Sequence, residues 1–318
     1  MPTEDYPNNF EEFINRFQTE EDCMKYICSL RWPNGFICPH CNETKAWITE
    51  RGLYRCSKCR NNTSVIVGTL FQSTQKPLRL WFHVIWLMMA QKTGVSAKNL
   101  KDGMGFGSYQ TIWGWLHKLR SVMVRPGREL LNGSVEVDET YIGGVRTGKR
   151  GRGSDGKVLV VVAVEGIEGL FIENAEKKEK KVLGRVRFRC IPNASAENLN
   201  SFVCDNVKKG SNVITDGWSG YKQVKSKGFS HSIKIADKNY KNTDQLLPHV
   251  HLVVSLLKRW LGGTHQGAIT SHHLQGYLDE FAFRFNRRLS THRGKLFYRL
   301  MQQAVNNQAP GIKELYKM

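Results

Sequence analysis

With 318 residues, 40% of them apolar and 10% aromatic, the chain can build one large domain plus one or two small modules, which excludes global disorder. Lys and Arg outnumber Asp and Glu by 47 to 28, a net charge of +19 with a pI near 9.7. Such a surplus favours phosphate-rich partners over acidic proteins, because neutralised phosphates release their counterions.

Residues 1–35 are expected to form N-terminal helices. Phe10, Phe13, Ile14 and Phe17 recur at helical spacing, as do Met24, Ile27 and Leu30 after Thr19, a good N-cap. The first ten residues are polar and acidic rather than leader-like, so a reducing cytoplasm and no membrane partner are expected. The best apolar run, Trp81 to Ala90, is about half the ~20 residues that a membrane span needs.

Residues 36–72 change character. Cys38-Pro-His-Cys41 and Cys56-Ser-Lys-Cys59 stand 14 residues apart, the spacing of a zinc ribbon in which two thiolate pairs on tight turns close one tetrahedral site. A four-cysteine site is saturated, so the expected Zn2+ is structural, with His40 a bystander.

Residues 73–130 read as helical. Pro77 to Ala90 is a continuous apolar helix that must be largely buried. Ser96–Asp102 and Ser108–Arg120 flank a glycine-rich turn, an arrangement that resembles a helix-turn-helix. On that reading Tyr109, Gln110, Lys118 and Arg120 face DNA; a plain helical hairpin is the alternative.

Residues 131–302 alternate strands and turns, with 303–318 a C-terminal tail. Val135 to Gly144, Val158 to Val164, Gly184 to Ile191 and Asn212 to Asp216 read as strands, and Ser195 to Val207 as a helix, so a mixed α/β layer is expected. The loop from Gly143 to Lys157, which includes Arg150 and Arg152, is either a DNA clamp or a solvated tip. Two of the strands carry an aspartate, Asp138 and Asp216. A carboxylate on a buried strand is costly unless a cation or a partner compensates it. Downstream, Pro248 opens a helix on which His251, Ser255 and Lys258 share one face, followed by Arg259. Glu136 shares the strand face of Asp138 and is a supporting residue or an alternative ligand; Glu139 points the other way. Asp279 and Glu280 compete less well, Glu280 being placed to pair with Arg284 or Arg287.

Taken in order, the zinc ribbon, the helix-turn-helix, Asp138, Asp216 and His251 with Lys258 seven residues on resemble the DDE-type transposases of bacterial insertion sequences. The ISXO-type group, which carries an N-terminal zinc ribbon, is the nearest match. Ser255-Leu-Leu-Lys-Arg-Trp-Leu-Gly-Gly-Thr-His265, Tyr277 to Arg288, and Trp32 to Cys41 are similar to that group's signatures. The resemblance implies an α/β, ribonuclease-H-like catalytic domain in which Asp138, Asp216 and His251 hold Mg2+ or Mn2+ at a two-metal site and Lys258 holds a phosphate. Here the third position is histidine rather than glutamate, which weakens the expectation for magnesium, a cation that prefers oxygen ligands. The implied activity is end binding, strand cleavage and strand transfer. Its partners would be double-stranded DNA, both terminal inverted repeats and target, and a second copy in a dimer or larger synaptic complex at the nucleoid. The rival readings are a catalytically inactive DNA-binding regulator and a nuclease that cannot join strands.

Overall fold

The computed structural model describes residues 4–143, 157–167, 182–235, 246–266 and 269–315. The chain divides into two compact units, Met1–Arg125 with Leu289–Met318, and Pro126–Arg288.

In the first unit, α1 (Phe10–Arg16) is followed by α2 (Glu20–Arg31), which Thr19 and Asp22 start with a reciprocal capping box. Three short antiparallel strands form the ribbon, β1 (Ala46–Ile48), β2 (Tyr54–Cys56) and β3 (Asn62–Thr63). The apolar run becomes α3 (Leu78–Ala90), with eight of its residues buried. Next come α4 (Ala97–Met104), stopped by Gly105 in the left-handed region at φ 69°, and α5 (Tyr109–Ser121). Trp81 of α3 stacks on Trp115 of α5 with ring centres 3.7 Å apart.

The catalytic region was expected to run to residue 302, whereas the compact unit that holds the sheet ends at Arg288. The helix Arg293–Asn306 clusters with the first unit, where its Phe297 completes an aromatic core with Phe13, Phe17, Phe82 and Trp86. An amphipathic stripe declares that a helix must bury one face; it does not name the core that receives it.

The second unit is a five-stranded sheet. Its strands are β4 (Ser134–Ile142), β5 (Val158–Ile167), β6 (Val182–Ile191), β7 (Asn212–Thr215) and β8 (Ser230–Ile233), in the spatial order β6-β5-β4-β7-β8. β4, β5 and β6 pair antiparallel; β7 runs parallel to β4, and β8 parallel to β7. The unbroken valine run of β5 has a simple cause, since both sheet faces are covered. Val160, Val162 and Val164 pack under α7 (Pro248–His265) and α8 (Leu274–Phe285), whereas Val161 and Ala163 face α6 (Ala196–Asn206).

Strand β6 lies at the sheet edge, and α8 with the residues after it covers its outward backbone groups. The Val186 N–H donates to Asn286 Oδ1 at 2.7 Å, and Asn286 Nδ2 donates to the Val186 carbonyl at 3.2 Å. The Cys190 N–H donates to Gln275 Oε1 at 2.9 Å. These amides do what a further strand would do, and so close a surface that invites edge-to-edge pairing. Asn286→Ala should therefore cost about 1–3 kcal/mol in denaturant unfolding. A loss below about 0.5 kcal/mol, the scatter of ordinary surface changes, would contradict this role.

Candidate active site

The sheet register brings the two strand aspartates together. Ser134, Val135 and Glu136 of β4 lie opposite Asn212, Val213 and Ile214 of β7, so two further steps put Asp138 level with Asp216, just past the end of β7. Neighbouring strands run ~4.8 Å apart, and side chains two apart share a face. Glu136 and Asp138 therefore point to the side covered by α7, while Val135 and Val137 fill the core under α6.

Each aspartate is held by its own backbone surroundings. The Glu139 N–H donates to Asp138 Oδ1 at 2.8 Å, and the Trp218 N–H donates to Asp216 Oδ1 at 3.0 Å. Trp218 is itself anchored through Nε1 to the Ala194 carbonyl at 3.1 Å. Burial pushes the Asp138 carboxyl up, and the charge of Asp216 adds to that rise; the Glu139 N–H and His251 oppose it. Two acidic groups thus raise each other's electrostatic cost, and a divalent cation between them would relieve it.

Helix α7 supplies the rest. Asp138, Thr140, His251, Ser255 and Lys258 line one cleft of about 420 Å³. Asp216 is absent from that lining and reaches Asp138 electrostatically. Partial burial and the nearby charge of Lys157 push the Lys258 ammonium down, and Arg259 beside it is exposed. Glu136 is no ligand in this geometry. Its carboxylate is buried, with Oε2 accepting from the His249 N–H at 2.9 Å and the Val250 N–H at 3.2 Å, and Oε1 lying 3.0 Å from His249 Nδ1. Burial alone would push that carboxyl up, but the hydrogen bond and charge of His249 and the two N–H groups hold it below the ordinary range. Glu139 turns the other way, towards the hydroxyl of Tyr221, whose phenol burial and the Glu139 charge push far up. Glu280 lies 3.4 Å from Arg284 and is fully buried in α8. Burial pushes the Asp279 carboxyl up to about 6, against a hydrogen bond from Gln275, and this residue lies outside the cleft.

The zinc ligands come together as their spacing predicts. The sulfurs of Cys38, Cys41, Cys56 and Cys59 all lie within 4.8 Å of one another, with Cys38–Cys59 at 3.6 Å and Cys41–Cys56 at 3.5 Å. A tetrahedron of Zn–S bonds of ~2.3 Å has edges of roughly 3.8 Å, so the four thiols fit zinc. Among the described residues this is the one group of three or more ligand-type side chains so tightly gathered.

The DNA-facing residues expected in the first unit divide. Tyr109 and Gln110 are exposed on the first turn of α5. Lys118 is half-buried, and burial pushes its ammonium down. Arg120 does not face DNA: it is buried, with Nη1 lying 3.4 Å from His117 Nε2, because the C-terminal half of α5 is enclosed on most of its circumference. Arg150 and Arg152 lie outside the described residues. Sequence reasoning missed a further basic surface on the ribbon. Trp47 is exposed, directly across the strands from Arg55, and the Arg60 guanidinium lies 5.1 Å from its ring centre. The period-two alternation of Trp47 against Arg55 was the available signal.

Residues 130–286 match the model of the ISXO2-like transposase domain, and residues 18–62 match that of the transposase zinc-ribbon domain. A Halobacterium salinarum protein, described as an uncharacterized protein in transposable element ISH50, is 23% identical over 285 residues, spanning 85% of this chain and 92% of the relative. A chain of the cryo-electron microscopy structure of the simian T-cell lymphotropic virus intasome with a PP2A regulatory subunit aligns at a TM-score of 0.29 and 10% identity. It covers 58% of this chain and 67% of that one, a likeness too weak to carry an argument. The two family matches fall on the ribbon and on the sheet with its helices, in that order. The chain belongs to the insertion-sequence transposases that join a zinc ribbon to an ISXO2-like transposase domain.

Proposed function

We propose that this chain binds the ends of its insertion sequence and catalyses metal-dependent cleavage of a DNA strand there, then transfer of that strand into target DNA. The observation that carries the reading is the cleft, in which Asp138, level with Asp216 across two parallel strands, meets His251 and Lys258 of α7. A central first strand with two antiparallel neighbours on one side and two parallel strands on the other supports a ribonuclease-H-like arrangement.

Asp138, Asp216 and His251 are the residues that would hold Mg2+ or Mn2+. The three side chains would share a pair of such cations. Bound there, the cations would supply charge stabilisation at the attacking and leaving oxygens. Lys258 would hold a non-bridging phosphate oxygen as a point charge, with Arg259 on the neighbouring backbone. In the first step a water oxygen bonds to phosphorus and the P–O3′ bond breaks, freeing the 3′-hydroxyl of the element. In the second step that hydroxyl attacks a target phosphodiester, and the target's own 3′-oxygen leaves with the proton. The number of phosphodiester bonds is conserved in the joining step, so it needs no external energy source.

End recognition falls to Tyr109 and Gln110 of α5 and to the Trp47, Arg55 and Arg60 face of the ribbon, with structural Zn2+ holding the latter. Cleavage and joining at two ends require a dimer or larger synaptic complex, acting at the nucleoid in the cytoplasm. Among the described residues, no helix is long and apolar enough to cross a membrane. Incubating the protein with labelled element-end duplex and a supercoiled plasmid, in magnesium and in manganese, tests the proposal. Joined product is the expected outcome; cutting without joining, or binding alone, would replace it with the nuclease or the inactive regulator.

A further inference from the structure

We infer that Glu136 is a positioning residue, which ties the first turn of α7 to the central strand and thereby sets His251 against Asp138. Helix α7 begins without a side-chain cap of its own. Leu247 occupies the N-cap position, Pro248 is the first helical residue, and no side chain from within the helix reaches the free N–H groups that follow. Four N–H groups at a helix start have no partner inside the helix, and a buried start must find one elsewhere. Glu136 provides it from the sheet, taking the N–H of His249 and of Val250 on one carboxylate oxygen. The second oxygen meets His249 Nδ1, so a side chain of the helix is gripped along with its backbone. The imidazole of His249 is seated against Gly166 of β5, at the place where the β5–β6 register shifts. The negative carboxylate also faces the positive end of the helix dipole, which favours the same placement.

The sequence spacing makes this grip consequential. Glu136 stands two residues before Asp138 on one strand face, and the last N–H that it takes, from Val250, directly precedes His251. A shift of the helix start therefore moves His251 relative to Asp138 with no slack between them. The effect on activity rests on the transposase reading above, whereas the effect on the helix start does not, and the experiment separates them.

Three variants of the full chain, Glu136→Gln, Glu136→Ala and His249→Ala, are compared with the parent in end cleavage and in amide hydrogen exchange. Losses of a partner that orients a ligand run from 10- to 100-fold. Glu136→Ala should lower kcat by about 100-fold and Glu136→Gln, which keeps one acceptor oxygen, by about 10-fold. His249→Ala should lose less, because both backbone hydrogen bonds survive. KM for element-end DNA should stay within about twofold throughout, with kcat counted per folded molecule, because a smaller folded fraction would itself lower apparent kcat at constant KM. In Glu136→Ala the amides of His249 and Val250 should exchange at least about tenfold faster, while those of β4 and β5 stay protected. Parental kcat in Glu136→Ala, or a loss carried wholly by KM, overturns the inference. Should the parent itself prove unable to cleave, the transposase reading fails, and the exchange result still decides: unchanged protection at residues 249 and 250 overturns the positioning role.

Discussion

Asp138→Asn should abolish end cleavage, lowering kcat by at least roughly a thousandfold, and Asp216→Asn should do nearly the same. The expected size follows from the chemistry, since losing several kcal/mol of metal-held charge stabilisation corresponds to three or more powers of ten in rate. Stability should move the other way. Burial and the charge of Asp216 already push the Asp138 carboxyl up, so its ionised form is a cost to the fold above its ordinary pKa. Asparagine removes that cost and leaves the strand intact, so the variant should melt at the same temperature or higher. DNA affinity should be retained or slightly improved, because one negative group is removed from beside the phosphates. A variant that keeps more than about a tenth of parental kcat would remove Asp138 from the chemistry, given that supporting residues cost at least that much.

Stripping zinc should unfold residues 36–63 and spare the sheet unit. The ribbon strands are three, three and two residues long, far too short to stand alone. In small structural sites the metal supplies on the order of 10 kcal/mol of apparent folding free energy at neutral pH. Nothing else in the ribbon is of that size; beside the thiols its interior rests on Phe36 stacked against Tyr54, with Trp32 of the preceding segment. Chelation, or Cys41→Ser, should thus make this segment the first site of limited proteolysis and weaken DNA binding through loss of the Trp47 face. Equal protease resistance with and without chelator would show that the four thiols do not depend on a metal.

Much of this architecture could be read from residue order, and the failures have identifiable causes. Strands β4 and β5 are legible as β-branched runs, and β6 because Val186, Phe188 and Cys190 alternate with Arg185, Arg187 and Arg189. Strand β8 is not, since Ser230-His-Ser-Ile233 is short, polar and largely exposed, and only its pairing with β7 makes it a strand. Asp138 and Asp216 stand out as carboxylates within or at the end of such runs, but their level register on adjacent strands is a tertiary fact. Arg120 misled because charge at a helix end implies solvent, and here a guanidinium is enclosed beside His117. Glu136 could be placed on the right face, as a supporting residue or an alternative ligand, but not given its partners, which are backbone N–H groups more than a hundred residues away.

The central claim is that Asp138, Asp216 and His251 together hold a two-metal site, and manganese anomalous diffraction tests it most directly. Crystals grown with manganese and element-end DNA should show anomalous density bounded by the two carboxylates and the imidazole, with ligand distances of about 2.0–2.3 Å. Manganese elsewhere on the surface, with that space empty while zinc fills the four-cysteine site, would contradict the account.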